Sequence, residues 1–196
     1  MKLSRAFLFI LLSGATLHAG LKAINETKMA EGGCWAGSRI EDKQAFGGFG
    51  PSDNYPMKVT KDTPGEAGKL ALVFLTDDTV PYRGTFQGIP LLLINKTAKT
   101  AEFTAEDSRL SIVQEALDKN GRWRPIEYLR PSWCGNSFHR VFLPASQYWV
   151  FTVPRYYGPF ETKLRARFQL SEKEFLYSNE YDGGISTSQF KAPPKS

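Results

Sequence analysis

Short hydrophobic segments separated by turn residues dominate the chain from residue 69 onward. Residues 70–75 and 89–94 are continuous apolar runs of strand length, a pattern typical of strands buried on both faces. Residues 101–105 instead alternate apolar and polar side chains, as a strand with a solvated face does. Both patterns predict β-strands.

A hairpin is predicted in the middle of this region. Asp118-Lys-Asn-Gly121 supplies a turn between segments 110–117 and 122–129. Residues 110–117 would also suit one face of a helix, but the turn and the β-branched pair Ile112 and Val113 favour a strand.

Further strands are predicted at 139–143, 148–153, 162–170 and 175–181. Their number and spacing predict an all-β fold over residues 69–190. We expect an antiparallel two-sheet β-sandwich of the immunoglobulin or fibronectin kind.

The first 19 residues have the layout of a secretory signal peptide. A basic start with Lys2 and Arg5 precedes an apolar run and then small residues, and cleavage is expected after Ala19. The apolar run is far shorter than the roughly 20 residues that span a bilayer. We therefore expect a secreted or periplasmic protein with no transmembrane segment after signal removal.

Two segments flank the predicted sandwich. Residues 20–68 contain glycine clusters that interrupt any sustained periodicity, so they predict an irregular N-terminal arm. Residues 191–196 include Pro193 and Pro194 and predict a flexible tail.

Charge argues against a nucleic-acid partner. The chain has 25 Lys+Arg and 20 Asp+Glu, a net charge of +5, which falls to +3 when Lys2 and Arg5 leave with the signal. Nucleic-acid binders gather basic residues into a patch or stripe. The closest candidate is Lys163, Arg165 and Arg167, but these alternate with apolar residues and predict the solvated side of a strand.

Two cysteines, Cys34 and Cys134, remain after export. An even number of cysteines in an oxidising compartment predicts a disulfide, which would tie the arm to the sandwich. Closing a loop of about 100 residues is worth up to roughly 4–5 kcal/mol in the chain-entropy model.

The segment Ser132-Trp-Cys-Gly-Asn-Ser-Phe-His139 is the densest cluster of chemically active side chains. It lies between two predicted strands, and loops on a rigid sandwich commonly carry recognition. We predict a binding surface formed by Arg130, Trp133, Asn136 and His139, with Asp107 nearby.

The same segment also permits a hydrolase. Cys134 would be the nucleophile and His139 the base, with Asn136 or Asp107 orienting the imidazole. A five-residue offset gives no assurance that thiolate and imidazole meet. An acidic pair drawn from Glu106, Asp107, Glu115 and Glu127 is a second hydrolytic possibility, whose carboxyl separation the sequence cannot measure.

No metal or cofactor is predicted. His18 leaves with the signal, so His139 is the only imidazole in the mature chain and excludes a multi-histidine zinc site. Cys34, Cys134 and His139 include no close-spaced ligand pair.

Aromatic residues make up 13% of the chain. Many of them sit inside predicted strands and indicate core packing. The alternative is a platform for sugar rings formed by aromatics in or near turns, namely Trp123, Tyr128, Trp133, Tyr156 and Tyr157.

Four short motifs lie in the second half of the chain: Asp107-Ser-Arg-Leu110, Ile126-Glu-Tyr128, the Ser132–His139 segment, and Ser178-Asn-Glu-Tyr-Asp-Gly-Gly-Ile185 ending at Gln189-Phe190. Together they resemble a group of uncharacterised exported bacterial proteins. The similarity covers roughly residues 91–190. That group has no assigned activity, so the resemblance implies a bacterial envelope or extracellular setting and no inherited site.

The sequence therefore predicts an exported, non-enzymatic β-sandwich that binds an unknown protein or envelope polysaccharide. A secreted hydrolase and a purely structural envelope component are the alternatives. Ligand identity and oligomeric state stay open.

Overall fold

The computed structural model describes residues 20–130 and 135–191, and nearly all of its regular structure is β. The strands are, in chain order, β1 (Ala30–Glu31), β2 (Cys34–Trp35), β3 (Met57–Lys58), β4 (Leu70–Phe74), β5 (Val80–Tyr82), β6 (Phe86–Asn95), β7 (Ala101–Glu106), β8 (Arg109–Leu110), β9 (Ile112–Leu117), β10 (Trp123–Pro125), β11 (Glu127–Tyr128), β12 (Phe138–Leu143), β13 (Gln147–Pro154), β14 (Phe160–Gln169), β15 (Phe175–Tyr177) and β16 (Tyr181–Ile185). Short 3-10 turns occupy Gly135–Ser137 and Thr187–Phe190.

Three antiparallel sheets surround the core. The first has the order β3-β13-β6-β4, with β5 paired to the start of β6, and the second has the order β10-β9-β14-β15, with β16 paired to the start of β14. The third has the order β12-β7-β8-β2, and a separate pair, β1 with β11, is parallel. The prediction of an all-β sandwich of antiparallel sheets is confirmed.

The two apolar runs occupy different places in the first sheet. Residues 88–95 of β6 are all buried, because β6 lies between β13 on one side and β4 and β5 on the other. Strand β4 lies at the edge and alternates between buried and half-buried positions. Asn179 covers that edge: Phe74 N donates to Asn179 Oδ1 (2.7 Å), and Asn179 Nδ2 donates to Phe74 O (3.1 Å).

The hairpin turn forms as predicted, but the strand after it is divided. Gly121 N donates to Asp118 O, and Trp123 pairs with Leu117 across β9 and β10. The chain then bends at Ile126, so that β11 leaves β9 and pairs with the arm. The predicted strand 175–181 is divided in the same way, into β15 and β16.

One hydrophobic core joins the three sheets. Phe103 of the third sheet contacts Trp149 of the first, with ring centroids 6.1 Å apart, and Phe168 of the second, at 5.1 Å. Trp149 is fully buried, and its Nε1 donates to Gly37 O of the arm (2.9 Å). Leu164, Ala166 and Phe168 are buried, whereas on the opposite face Lys163 is exposed and Arg165 and Arg167 are partly exposed, as the alternation predicted.

The N-terminal arm is attached to the sandwich along much of its length. Lys22 bridges to Phe86, Ile24 bridges to Tyr156, and β1 and β2 pair with β11 and β8. The arm also adds buried side chains to the core, namely Ile24, Met29, Cys34 and Ala36. Its glycines permit close packing: a Cβ on Gly32 would lie 3.0 Å from Glu127 Oε2, and one on Gly33 would lie 2.2 Å from the Trp35 ring.

Candidate functional site

The residues of the predicted binding loop lie in different environments. Asn136 is exposed on the first 3-10 turn, whereas His139 is buried on β12. Arg130 lies at an exposed position beyond β11. Trp133 and Cys134, which belong to the predicted binding surface and to the predicted thiol–imidazole pair, lie outside the described residues.

His139 is packed as a structural side chain. Phe49 stacks on its ring with centroids 3.7 Å apart and an interplanar angle of 10°. Its Nε2 lies 3.3 Å from Ser108 Oγ, and its Nδ1 lies 3.4 Å from Ser137 O. One face and both nitrogens are therefore occupied by neighbours in the chain.

Asp107 and Ser108 form the tight turn between β7 and β8. Both have left-handed backbone conformations, with φ of 48° and 62°, as a two-residue hairpin turn requires. The turn holds the loop above it, since Gly50 N donates to Asp107 Oδ1 (2.8 Å) and Ser108 Oγ donates to Gly50 O (2.8 Å). Ser108 is only 2% exposed, so its hydroxyl is not open to a substrate.

The carboxylates considered as a hydrolytic pair have separate partners. Glu106 pairs with Arg109, and Glu115 pairs with both Arg165 (2.9 Å) and Arg167 (2.7 Å). Asp107 accepts from Gly50, and Glu127 is buried in the network described below. Each of them therefore has a contact that explains its presence without catalysis.

Arg130 lines a second cleft, located between the arm and the sandwich. It pairs with Glu31 of the arm (2.9 Å), and its carbonyl accepts from the Arg109 guanidinium. The cleft beside this pair has a volume of about 330 Å³, and we term it the arm cleft. Its arm side is formed by Ile24, Glu26 and residues 28–31, and its sandwich side by Tyr82, Arg83, Phe86, Tyr128, Arg130, Pro154 and Tyr156.

A buried polar network supports the arm cleft from below. Glu127 is 5% exposed, and its carboxylate accepts hydrogen bonds from Gln114 N (2.8 Å), Gln114 Nε2 (3.1 Å) and Tyr156 OH (2.7 Å). Gln114 Nε2 also donates to Pro154 O (2.9 Å), and Tyr181 OH donates to Gln114 Oε1 (2.9 Å). Two cleft residues, Pro154 and Tyr156, are thus held by the same network.

Burial dominates the electrostatics of this network. It raises the pKa of the Glu127 carboxyl, and the hydrogen bonds from Gln114 and Tyr156 offset only part of that effect. Burial also raises the pKa of Tyr156, and the charge of Glu127 raises it further. The network contains no cation in contact with Glu127 among the described residues, so this carboxylate is stabilised by neutral donors alone.

Cys34 lies near the same carboxylate. It is 2% exposed on β2, and burial, followed by the charge of Glu127, raises the pKa of its thiol. A protonated thiol is a poor nucleophile. Its predicted disulfide partner, Cys134, lies outside the described residues, so the bridge stays a prediction.

On two further surfaces an arginine contacts neighbouring side chains of the fold. In the cleft of about 480 Å³ beside His139, Arg140 binds Asp42 through Nε (3.1 Å) and Nη2 (2.7 Å) and binds Glu102 through Nη1 (2.9 Å). On the second sheet, the Arg165 guanidinium lies 4.3 Å from the Trp123 ring centroid and 4.0 Å from that of Tyr177. Trp123 is therefore occupied by a cation rather than presented with the other predicted sugar-binding aromatics.

Within the described ranges, no group of three or more His, Cys, Asp or Glu side chains could hold a metal ion. In the same ranges, no helix is long and apolar enough to cross a membrane. Comparison with known proteins adds no relatives: no family model, curated protein or solved structure matches this chain.

Sequence reasoning missed most of the arm cleft. Its residues come from the arm, the β5–β6 turn, β11 and the end of β13, none of which forms a motif. One local signal existed: Arg83-Gly84 lies between two strand-like segments, and both residues adopt positive φ (48° and 73°). A positive φ at a residue other than glycine is uncommon, but sequence alone does not reveal where the Arg83 side chain lies.

Proposed function

We propose that this chain is an exported, non-enzymatic binding protein whose ligand site is the arm cleft. The proposal rests on one observation: tyrosine rings and charged side chains line the same cleft between the arm and the sandwich. The Glu127 network lies beneath this cleft and holds Tyr156. Ligand sites combine aromatic walls with a few well-placed polar groups. The volume of about 330 Å³ lies at the small end of the roughly 300–1,000 Å³ typical of such sites.

The contacts of the candidate catalytic groups favour binding over hydrolysis. The His139 ring is stacked on Phe49, and its nitrogens face Ser108 and Ser137. Glu115 is shared between two arginines. A general acid or base has to reach the reacting atoms, and these groups already contact neighbours in the fold.

Export is part of the proposal and depends on the signal-like sequence of residues 1–19, which lie outside the described ranges. Cleavage after Ala19 would keep every described contact between arm and sandwich, the first of which is the hydrogen bond from Gln87 Nε2 to Leu21 O (3.2 Å). The predicted Cys34–Cys134 bridge would add a covalent attachment of the arm in an oxidising compartment.

The test is a binding screen with the mature chain, residues 20–196, against glycan and peptide collections. Tyr128→Ala removes a cleft ring, and Tyr177→Ala removes an exposed ring on β15, away from the cleft, as the control. We expect Tyr128→Ala to lose binding while both variants keep the thermal stability of the parent. A ligand that binds parent and Tyr128→Ala equally, or turnover of a substrate by the parent, would contradict the proposal.

A further inference from the structure

Within the part of the chain that the structure describes, two cations of the arm cleft, Lys28 and Arg83, lack the ion pairs that five arginines outside the cleft make. Arg109, Arg122, Arg140, Arg165 and Arg167 all have acidic partners. In the cleft, Lys28 and Arg83 have no acidic partner among the described residues, and both are exposed. The cleft acid Glu31 is already paired with Arg130, which leaves Glu26 as the acid without a cationic partner within the described part of the chain. The cleft therefore carries an excess of available positive charge.

Arg83 is held in an unusual conformation. It belongs to the turn that joins β5 to β6, where Tyr82 pairs with Phe86 and Thr85 N donates to Tyr82 O. Its φ is 48°, and its guanidinium lies over the Tyr82 ring, 5.2 Å from the centroid. The tight turn explains this φ, as it does at Asp107 and Ser108, and it fixes the position of the Arg83 backbone beside the cleft. The turn thus places a guanidinium at the mouth of the cleft.

Aromatic faces complete the lining. Phe86 is 38% exposed, and Tyr82 and Tyr128 are partly exposed beside it. Flat rings of this kind pack against the apolar faces of sugar rings, and tyrosine hydroxyls add hydrogen bonds at the edge. Arginine and lysine recognise carboxylate or sulfate through charge-assisted hydrogen bonds.

We propose, building on the function assigned above, that the arm cleft binds an acidic saccharide. The sugar ring packs on Phe86 and Tyr128, and its carboxylate binds Arg83 and Lys28. Both requirements, an apolar ring face and a negative charge, are met within one uronic acid unit. A neutral sugar would leave the two cations unpaired, and an acidic peptide would leave the aromatic faces poorly covered.

The probe is an oligomer of galacturonic acid, measured by titration calorimetry with residues 20–196. Its methyl ester is the matched neutral ligand, because esterification removes the charge and keeps the sugar ring. Polyglutamate is the control for charge without a sugar. We expect the galacturonate oligomer to bind and to weaken as salt is added, and the other two probes to bind about tenfold less tightly or not at all.

The protein variants separate the two proposals. Lys28→Ala combined with Arg83→Ala should weaken galacturonate binding about tenfold, whereas Lys163→Ala, on the second sheet, should leave it unchanged. Absence of galacturonate binding, equal binding of the methyl ester, or stronger binding of polyglutamate would overturn the acidic-saccharide inference. If any glycan or peptide still binds in a way that depends on Tyr128, the broader proposal for the cleft survives. If binding is indifferent to Tyr128, both fail.

Discussion

The neighbourhood of His139 and the arm cleft contain similar kinds of side chain but use them differently. Around His139, the imidazole, the Ser108 hydroxyl and the Asp107 carboxylate each contact another part of the chain. In the arm cleft, Lys28 and Arg83 lack acidic partners among the described residues. The motif-rich residues around His139 are held by contacts within the fold, whereas the arm cleft is assembled from scattered residues, two of which are exposed cations without acidic partners in the described ranges.

This difference shows why a dense polar motif is weak evidence for a site. The turn formed by Asp107 and Ser108 needs polar side chains to hold the loop at Gly50, so its polarity has a structural cause. The unpaired cations Lys28 and Arg83 have no comparable structural role in the described contacts. They are the better indication of a surface that meets something outside the chain.

The largest expected effect concerns the support beneath the cleft. Glu127→Ala removes the buried acceptor of Gln114 N and Tyr156 OH, and one of the two acceptors of Gln114 Nε2. We expect a loss of about 3 kcal/mol or more in the free energy of unfolding, measured by urea denaturation. Glu26→Ala, at a cleft acid outside the network, is the control and should change stability little. A similar effect for the two variants would mean that the network does not support the fold.

The next effect tests whether the His139 region is structural. His139→Ala removes a buried ring that stacks on Phe49, so we expect a loss of about 2 kcal/mol with ligand binding unchanged. Asn136→Ala, at an exposed position three residues away, should stay within about 0.5 kcal/mol. If His139→Ala kept full stability but lost ligand binding, the result would support the prediction that the loop containing His139 binds the ligand.

Stability should respond to pH through the same two regions in opposite directions. The folded-state pKa of Glu127 lies above its unfolded value, so its contribution is complete below about pH 4.3 and declines as pH rises through the raised value. Hydrogen bonds from Arg140 lower the pKa of Asp42, so the contribution of Asp42 is complete above about pH 3.9 and is lost as pH falls through the lowered value.

Urea denaturation between pH 4 and pH 8 would isolate the contribution of Glu127, because that of Asp42 changes only below this range. Glu127→Gln cannot ionise, although its amide faces the Gln114 N–H donor, so it should be less stable at low pH and have a flatter pH profile. Parallel profiles for the parent and Glu127→Gln would show that Glu127 does not titrate in this range.

The smallest effect concerns the available charges of the cleft. Arg83→Ala and Lys28→Ala remove side chains without acidic partners among the described residues. The free energy of unfolding of each variant should therefore stay within about 0.5 kcal/mol of the parent value. Arg140→Ala breaks the contacts with Asp42 and Glu102 and should lower the melting temperature clearly. A drop for Arg83→Ala as large as that for Arg140→Ala would remove the distinction between the two regions.

Local pattern predicted the strands best where their surroundings are regular. Residues 89–94 form the centre of β6, and the Asp118–Gly121 turn joins β9 to β10 as expected. Prediction was poorer at Ile126, where the chain passes from one sheet to another, because the bend depends on the arm that pairs with β11. The arm itself lacked a strand pattern because its pairs with β11 and β8 are only two residues long.

Hydrophobic periodicity alone determined that this protein is an all-β sandwich, because alternation and buried runs are local properties of a strand. It also determined that Lys163, Arg165 and Arg167 lie on a solvated face. Only the tertiary structure decided that the His139 ring stacks on Phe49 and that Lys28 and Arg83 line the same cleft. Whether a polar group is satisfied depends on residues distant in sequence, and those neighbours exist only once the chain has folded.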